Sequence, residues 1–316
     1  MKSVLVLGGG PGAERDVSIA SSTAVARALE RAGLNPTLVM IDQPEDLNHH
    51  PGDVIFPVLH GWWGEGGPLQ DILERDGRPY VGSGPSASRL CMDKIATKLE
   101  AARLGVRTPP AVLFNPEDRT LGMNLPLVLK PALEGSSVGL HVCTDANTLK
   151  RAVSQILDDR ANGHAPVIMA ERFIEGREVT CSIIESDGEP IALPLIEIKP
   201  AAGVYDYDAK YDRDDTRYFL DPEGIDPEPI VRDAISIARA LGVRHVARAD
   251  FVVDAAGRHW FLEINTIPGF TDHSLLPMAA AGRGIDMPDL CAHLVASACG
   301  SAPRAGAAVH SSSHGH

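Results

Sequence analysis

The chain has no apolar run near the ~20 residues that a helical membrane span needs, which argues against a membrane role. It is sparing with cysteine: Cys91, Cys143, Cys181, Cys291 and Cys299 are odd in number, scattered and never spaced C-x-x-C. Disulfide frameworks and zinc ribbons need paired spacings, so these thiols are expected to be reduced and packed, as in a cytoplasmic protein. Positive charge is also short. A formal net charge of -13 leaves no clustered excess of Lys and Arg to neutralise a phosphate backbone, so no nucleic acid partner is expected. The start, Met1-Lys2-Ser3 before Val4-Leu5-Val6-Leu7, is too short in apolar residues for a secretory signal and runs at once into glycines. It reads as a first buried strand.

With 44% hydrophobic and 22% charged residues, the composition is that of a globular protein. A length of 316 residues exceeds one compact core, and two or three units of roughly 100 residues each are expected. Up to about residue 90, short apolar runs (Ser3 to Leu7, Leu38 to Ile41, Val54 to Leu59) alternate with a helical pattern from Val17 to Ala32. Parallel strand and crossover-helix units have this form, so 1–94 reads as a small Rossmann-like α/β domain. The strand Val54 to Leu59 leads into His60-Gly61, at the carboxyl end where open α/β sheets bind ligands. Residues 95–178 form a second unit: a helical stretch from Met92 to Leu104, strands at Leu125 to Lys130 and Val167 to Glu171, and a helix at Leu149 to Leu157. In 179–300 strands are expected at Val179 to Ile184, Val246 to Val253 and Trp260 to Ile264, with a helix at Pro229 to Leu241. A polar, aromatic segment, 203–219, is long enough for a lid. The Ala-, Gly-, Ser- and His-rich stretch 301–316 has little to bury and reads as a disordered tail.

Arg248-x-Asp250 on one strand and Glu263-x-Asn265 on another place four polar groups on one cavity, because alternate strand residues share a face. Asp250, Glu263 and Asn265 offer hard oxygen ligands for Mg²⁺ held jointly with phosphate, and Arg248 adds a planar fork for a developing oxyanion. The same spacing also suits a salt bridge between Arg248 and a carboxylate. Lys130 ends a strand before the loop Glu134-Gly135-Ser136-Ser137-Val138-Gly139, where small residues let backbone N–H groups approach phosphate, although Walker spacing is absent. Gly8 to Ala13 fits G-x-G-x-x-A, with Asp42 ending a later strand as in a dinucleotide-binding oxidoreductase. Against that rival, Glu14 and Asp16 put carboxylates where pyrophosphate would dock, while Glu14 suits an ammonium. His60 to Gly67 supplies an imidazole and a carboxylate in a turn-rich stretch, and Tyr205 to Tyr211 reads alternatively as a plain hydrophilic loop.

In this order these pieces resemble the D-alanine–D-alanine ligases of the ATP-grasp superfamily, from about Val4 to Leu294. The most specific stretches are Met92-Asp93-Lys94, Glu134 to Gly139, Tyr205 to Tyr211 and Leu262 to Leu275. The resemblance implies a three-domain ATP-grasp fold, α/β at its start and α+β in the ATP-grasp part. It also implies ATP as co-substrate with two Mg²⁺ or Mn²⁺ ions, D-alanine as substrate, a homodimer, and a place in peptidoglycan precursor synthesis. Lys94, Lys130, Glu134, Ser136, Ser137, Glu171, Arg172, Phe173, Ile174, Glu178 and Lys210 would bind ATP, and Asp250, Glu263 and Asn265 the metal. Arg248 and the Gly269 N–H would stabilise the oxyanion; Glu14, His60, Ser274 and Leu275 would hold D-alanine; Glu14, Ser136 and Tyr211 would close the lid. Tyr211 favours D-alanine over D-lactate as the second substrate. Two departures from the family pattern stand out: Gly66 where Asp is usual, and the bulky pair Trp62-Trp63. A different ATP-grasp ligase and a catalytically silent nucleotide binder remain as alternatives.

Overall fold

The computed structural model describes residues 2–118, 122–135, 139–200 and 216–300. Residues 203–215 of the expected lid, the 301–316 segment, and Ser136, Ser137, Lys210 and Tyr211 lie outside the described residues.

Three sheets carry the chain. The first is parallel, in the order β2 (Asn35–Ile41), β1 (Ser3–Gly9), β3 (Val54–Pro57), with α1 (Arg15–Arg31) as the crossover between β1 and β2. Parallel strands buried on both faces read as continuous apolar runs, and β1 does so. Val4 and Val6 pack with α1, whereas Leu5 and Leu7 meet Trp63, Leu69 and Leu73 on the other side. The helix α1 starts two residues earlier than its apolar period suggests and ends before Gly33, whose φ of +77° a side chain would resist. Beyond β3 come α2 (Gly61–Glu65), α3 (Pro68–Asp76), α4 (Pro85–Met92) and α5 (Lys94–Arg103). Both α3 and α4 begin on proline, which is preorganised for a first helical turn.

The second sheet is antiparallel in the order β4 (Ala111–Phe114), β7 (Ile168–Arg172), β5 (Leu127–Pro131), β6 (His141–Cys143). Its apolar face, with Leu127, Leu129 and Ala170, packs on Ile156 of α6 (Ala146–Ala161).

The third sheet runs β11 (Arg217–Leu220), β10 (Ile196–Lys199), β8 (Gly176–Ser186), β12 (Val246–Asp254), β13 (His259–Asn265), with β9 (Glu189–Ala192) also on β8. One face, including Cys181, Ala249 and Phe251, is covered by Ile230, Ala234 and Ile237 of α7 (Pro227–Leu241) and by Ala101 of α5. α8 (Leu275–Gly282) and α9 (Met287–Ala298) return to the first sheet, where Leu276, Leu290 and Leu294 share a core with Val4, Val6 and Phe56. Phe270 seals that junction: its ring meets Phe56 edge-on at 5.5 Å, and its N–H donates to Ser21 Oγ at 3.3 Å. The five cysteines are unpaired, four of them buried. Among the described residues no helix is long and apolar enough to cross a membrane.

Candidate active site

Strand periodicity turns Ala247, Ala249, Phe251 and Val253 of β12 into the core and leaves Arg248 and Asp250 on the opposite face. On β13 the register pairs Arg248 with Asn265 and Asp250 with Glu263, then slips so that Phe251 meets Phe261. Leu262 is therefore the extra residue of a bulge, a device that re-aims side chains beside active sites. It lets Phe261 and Ile264 both enter the core while Glu263 joins Asp250 at the wall of one cleft.

Arg248 spans both oxygens of Asp250, at 2.9 and 2.8 Å, and Asp250 also accepts from Thr180 Oγ1 at 2.7 Å and Asn265 Nδ2 at 3.2 Å. The salt bridge anticipated as the alternative for this spacing is thus present, on the same side chains as the candidate ligands. Glu263 pairs with Lys94 at 3.2 Å. Among the described residues no group of three His, Cys, Asp or Glu side chains gathers closely enough to hold a metal ion. The donor chemistry nonetheless suits a hard cation shared with phosphate: two carboxylates and an amide on adjacent strands, with cations as their present partners.

The cleft between the second and third sheets holds about 930 Å³ of space, part of it open to solvent. Lys94, Lys130, Glu134, Glu171, Phe173, Ile174 and Glu178 all line it. Arg172, at the end of β7, is exposed and lies off this cleft. Lys94 opens α5, whose Asp93 cap accepts from the N–H groups of Ile95 and Ala96 at 2.9 and 3.1 Å. Its Nζ reaches the carbonyl of Glu134 at 2.6 Å, tying the helix to the glycine loop. Lys130 Nζ holds Glu171 Oε1 at 2.9 Å. Burial opposes the charge on Lys130, but Glu171 and Glu263 hold its pKa above the ordinary lysine value. Burial likewise opposes ionisation of Glu171, and Lys130 and Lys98 keep its pKa low. Sequence reasoning missed Lys98; its signal was a lysine four residues after Lys94, on the same helix face.

A smaller cavity of about 300 Å³ shares Lys94 and Glu263 with the cleft and adds Asn265, Gly135 and Glu65. Glu65 is the other missed residue, noted as a carboxylate of the turn-rich stretch but given no role. It is buried, accepts from the Gly61 N–H at 3.1 Å, and is pushed up to about 8 by burial and then by Glu14. Glu14 occupies the N-cap position of α1 without a side-chain capping bond, and its Oε2 lies so near the Gly61 and Gly135 backbones that a Cβ would approach it to 3.2 and 3.3 Å. His60 caps α2 and is buried. Burial holds its pKa below the usual imidazole value against the pull of Glu14, and among the described residues its Nε2 has no hydrogen-bond partner. Glu14, His60 and Glu65 thus form one group where the first sheet meets the glycine loop.

Gly269 and Ser274 lie together on the loop entering α8. A Cβ at 269 would sit 2.6 Å from Ser274 Oγ, which accepts from the Thr271 N–H at 3.0 Å. Leu275 is buried as the first residue of α8. The glycine run after β1 is closed to a dinucleotide: Gly9 N–H donates to Ser18 Oγ at 2.9 Å and Gly10 N–H to the Ile41 carbonyl at 2.8 Å. Asp42 is taken by Arg15 at 2.5 Å.

Residues 114–296 match the family described as D-ala D-ala ligase C-terminus. The chain is 41% identical over 305 residues to the D-alanine–D-alanine ligase of Bordetella petrii, covering 93% of this chain and 91% of that protein. It is 42% identical over 296 residues to the one from Dechloromonas aromatica, covering 91% and 94%. Two solved structures superpose on it. The D-alanine–D-alanine ligase of Coxiella burnetii does so with a TM-score of 0.78, 25% identity and coverage of 94% and 95%. The VanG D-Ala:D-Ser ligase of Enterococcus faecalis gives 0.77, 27%, and 94% and 99%. With the fold, the strand-borne carboxylates and near full-length identity in agreement, the chain belongs to the D-alanine–D-alanine ligase family and is an ATP-dependent ligase of the ATP-grasp fold.

Proposed function

We propose that the chain joins two D-alanine molecules through an acyl phosphate, in the cytoplasm, to supply a peptidoglycan precursor. The observation that carries this reading is the pairing of β12 with β13, which sets Asp250 and Glu263 in one cleft with Lys94 and Lys130. Glu14, His60 and Glu65 stand at its adjoining end. Lys94 and Lys130 bind the phosphates, and Phe173, Ile174 and Glu178 line the base and ribose side; Arg172, exposed, is left out of this set. Asp250, Glu263 and Asn265 would hold Mg²⁺ or Mn²⁺, which when bound neutralises phosphate charge.

Glu14 takes the ammonium of the first D-alanine, and a carboxylate oxygen of that D-alanine attacks the γ-phosphorus as ADP leaves. Ser274, with the backbone of Leu275, takes the carboxylate of the second D-alanine near His60. The ammonium of that second molecule first gives up a proton, for which no residue is assigned; the free amine then attacks the acyl carbon, Arg248 and the Gly269 N–H stabilise the oxyanion, and phosphate departs with the former carboxylate oxygen, taking up the second proton of the nitrogen. Ser136, Ser137, Lys210 and Tyr211 belong to this reading through the family pattern, as do a homodimer and the division at 1–94, 95–178 and 179–300. The three sheets fall largely one to a unit, although β8 starts at Gly176, before the 178 boundary, and α5 starts at Lys94 and packs on the third sheet.

Labelling settles the route. With ¹⁸O in the D-alanine carboxylate, the released phosphate gains one ¹⁸O if an acyl phosphate forms; unlabelled phosphate would refute that step.

A further inference from the structure

Lys98 stands one turn beyond Lys94 on α5, buried, and lines the groove behind the cleft wall rather than the cleft itself. Its Nζ donates to Thr108 Oγ1 at 2.6 Å and pairs with Glu171 Oε2, while Lys130 Nζ holds Glu171 Oε1 at 2.9 Å. Thr108 in turn donates to the carbonyl of Phe261 at 2.9 Å, and the Phe261 N–H donates to the carbonyl of Arg107 at 2.8 Å. Phe261 lies two residues before Glu263 on β13. One side chain therefore links α5, the strand bearing Glu171 and the strand bearing a candidate metal ligand.

The charges along this chain can be counted. Glu171 is a single anion between two ammonium groups, so this trio by itself carries a net positive charge, which Glu263 and Glu178 of the cleft also face through Lys130. Were Lys98 neutral or absent, Glu171 would be matched wholly by Lys130, and the cleft would lose a unit of positive charge at its phosphate-facing lysine. Buried carboxylates strongly favour a paired cation, so Lys130 would be drawn toward Glu171 and away from any ligand.

We propose that Lys98 is a positioning residue for the nucleotide: by sharing Glu171 with Lys130, it leaves Lys130 a net cation at the cleft and fixes where that cation sits. This rests on the reading of the cleft as the ATP site. A merely structural Lys98 would compensate buried Glu171 and alter stability without making nucleotide affinity depend on its own protonation. The charged groups facing Lys98 are Glu171 on β7 and Lys130 on β5. Burial lowers its pKa to about 8, Glu171 opposing and Lys130 reinforcing the shift. Lys130 is held above the ordinary value and stays charged across that range.

The test is ADP affinity by calorimetry, from pH 6.5 to 9.5, for the full chain and for Lys98→Met, Lys98→Arg and Lys130→Met. Wild-type affinity should fall about ten-fold as pH rises through the titration of Lys98, the effect of losing one charge-assisted contact. Lys98→Met should be about ten-fold weaker at pH 7 and show no such step. Lys98→Arg, charged throughout, should bind well with a flat profile. A flat wild-type profile, or a step that survives in Lys98→Met, overturns the proposal. If Lys98→Met does not fold, a wild-type step persisting in Lys98→Arg overturns it. Absence of ADP binding to wild type, or wild-type affinity in Lys130→Met, would instead remove the nucleotide reading and this inference with it.

Discussion

On the nucleotide side of the site cations sit against carboxylates: Lys94 against Glu263, Lys98 and Lys130 against Glu171, Arg248 against Asp250. On the side built by α1 and α2 the groups are buried, and the cation that acts on His60 and Glu65, Arg248, comes from β12. Burial drives Glu65 up to about 8 and His60 down, so both favour their neutral forms, and Glu14 acts on each as a negative charge. The contrast matches the ligands each side is proposed to take. A polyphosphate needs several cations that are themselves held in place, whereas the ammonium of a small zwitterion needs one anion among neutral neighbours.

The comparison breaks most visibly at Asp250. If its carboxylate serves the phosphate side, Asp250→Asn lowers turnover by about a thousand-fold in steady-state kinetics; near wild-type turnover would reduce it to a partner for Arg248. Next comes Glu14→Gln. It should raise the KM for D-alanine on the order of ten- to a hundred-fold while leaving ADP affinity unchanged, because it removes a charged hydrogen bond on one side alone. An equal change in both would erase the distinction between the two walls.

Smaller effects follow from α2. A Cβ on Gly66 would lie 2.3 Å from the Trp62 carbonyl oxygen, within this chain's own backbone. A side chain at 66 would therefore have to shift that turn of backbone. Gly66→Asp should cost about 1–3 kcal/mol in denaturant unfolding, the usual cost of overpacking; an unchanged midpoint would contradict the geometry. The smallest effect belongs to Glu65. Its folded pKa of about 8 lies above the ordinary 4.5, so the folded state binds the extra proton between those values and stability from this group falls as pH rises through that window. Glu65→Gln removes that slope. The melting temperature of wild type should fall relative to that of the variant between pH 5 and 8.5; parallel profiles would exclude a buried, neutral Glu65.

Much of this site was legible because strands repeat every two residues. Arg248, Asp250, Glu263 and Asn265 were placed on one face by spacing alone, and the register confirms their adjacency. The bulge at Leu262 was invisible in the sequence, since it depends on how β13 meets β12. Helices α3 and α4 were also missed: each is under ten residues, too short for its period to stand out, and the proline starts were the available sign. Lys98 and Glu65 were hidden for a different reason. A lysine or glutamate in a helix reads as surface until the fold buries it, and burial is what gives both their unusual acidities. The carboxyl-end rule for parallel strands did locate His60, even though β3 ends at Pro57, three residues earlier than the apolar run suggests.

The most direct test of the whole account is ADP release by the purified chain with Mg²⁺-ATP, supplied in turn with D-alanine, L-alanine, D-serine, and D-alanine plus D-lactate, with products identified by mass. The account predicts release that requires D-alanine and is satisfied by it alone, yielding D-alanyl-D-alanine. Release without D-alanine, or D-alanine-dependent release that yields no dipeptide, would contradict it.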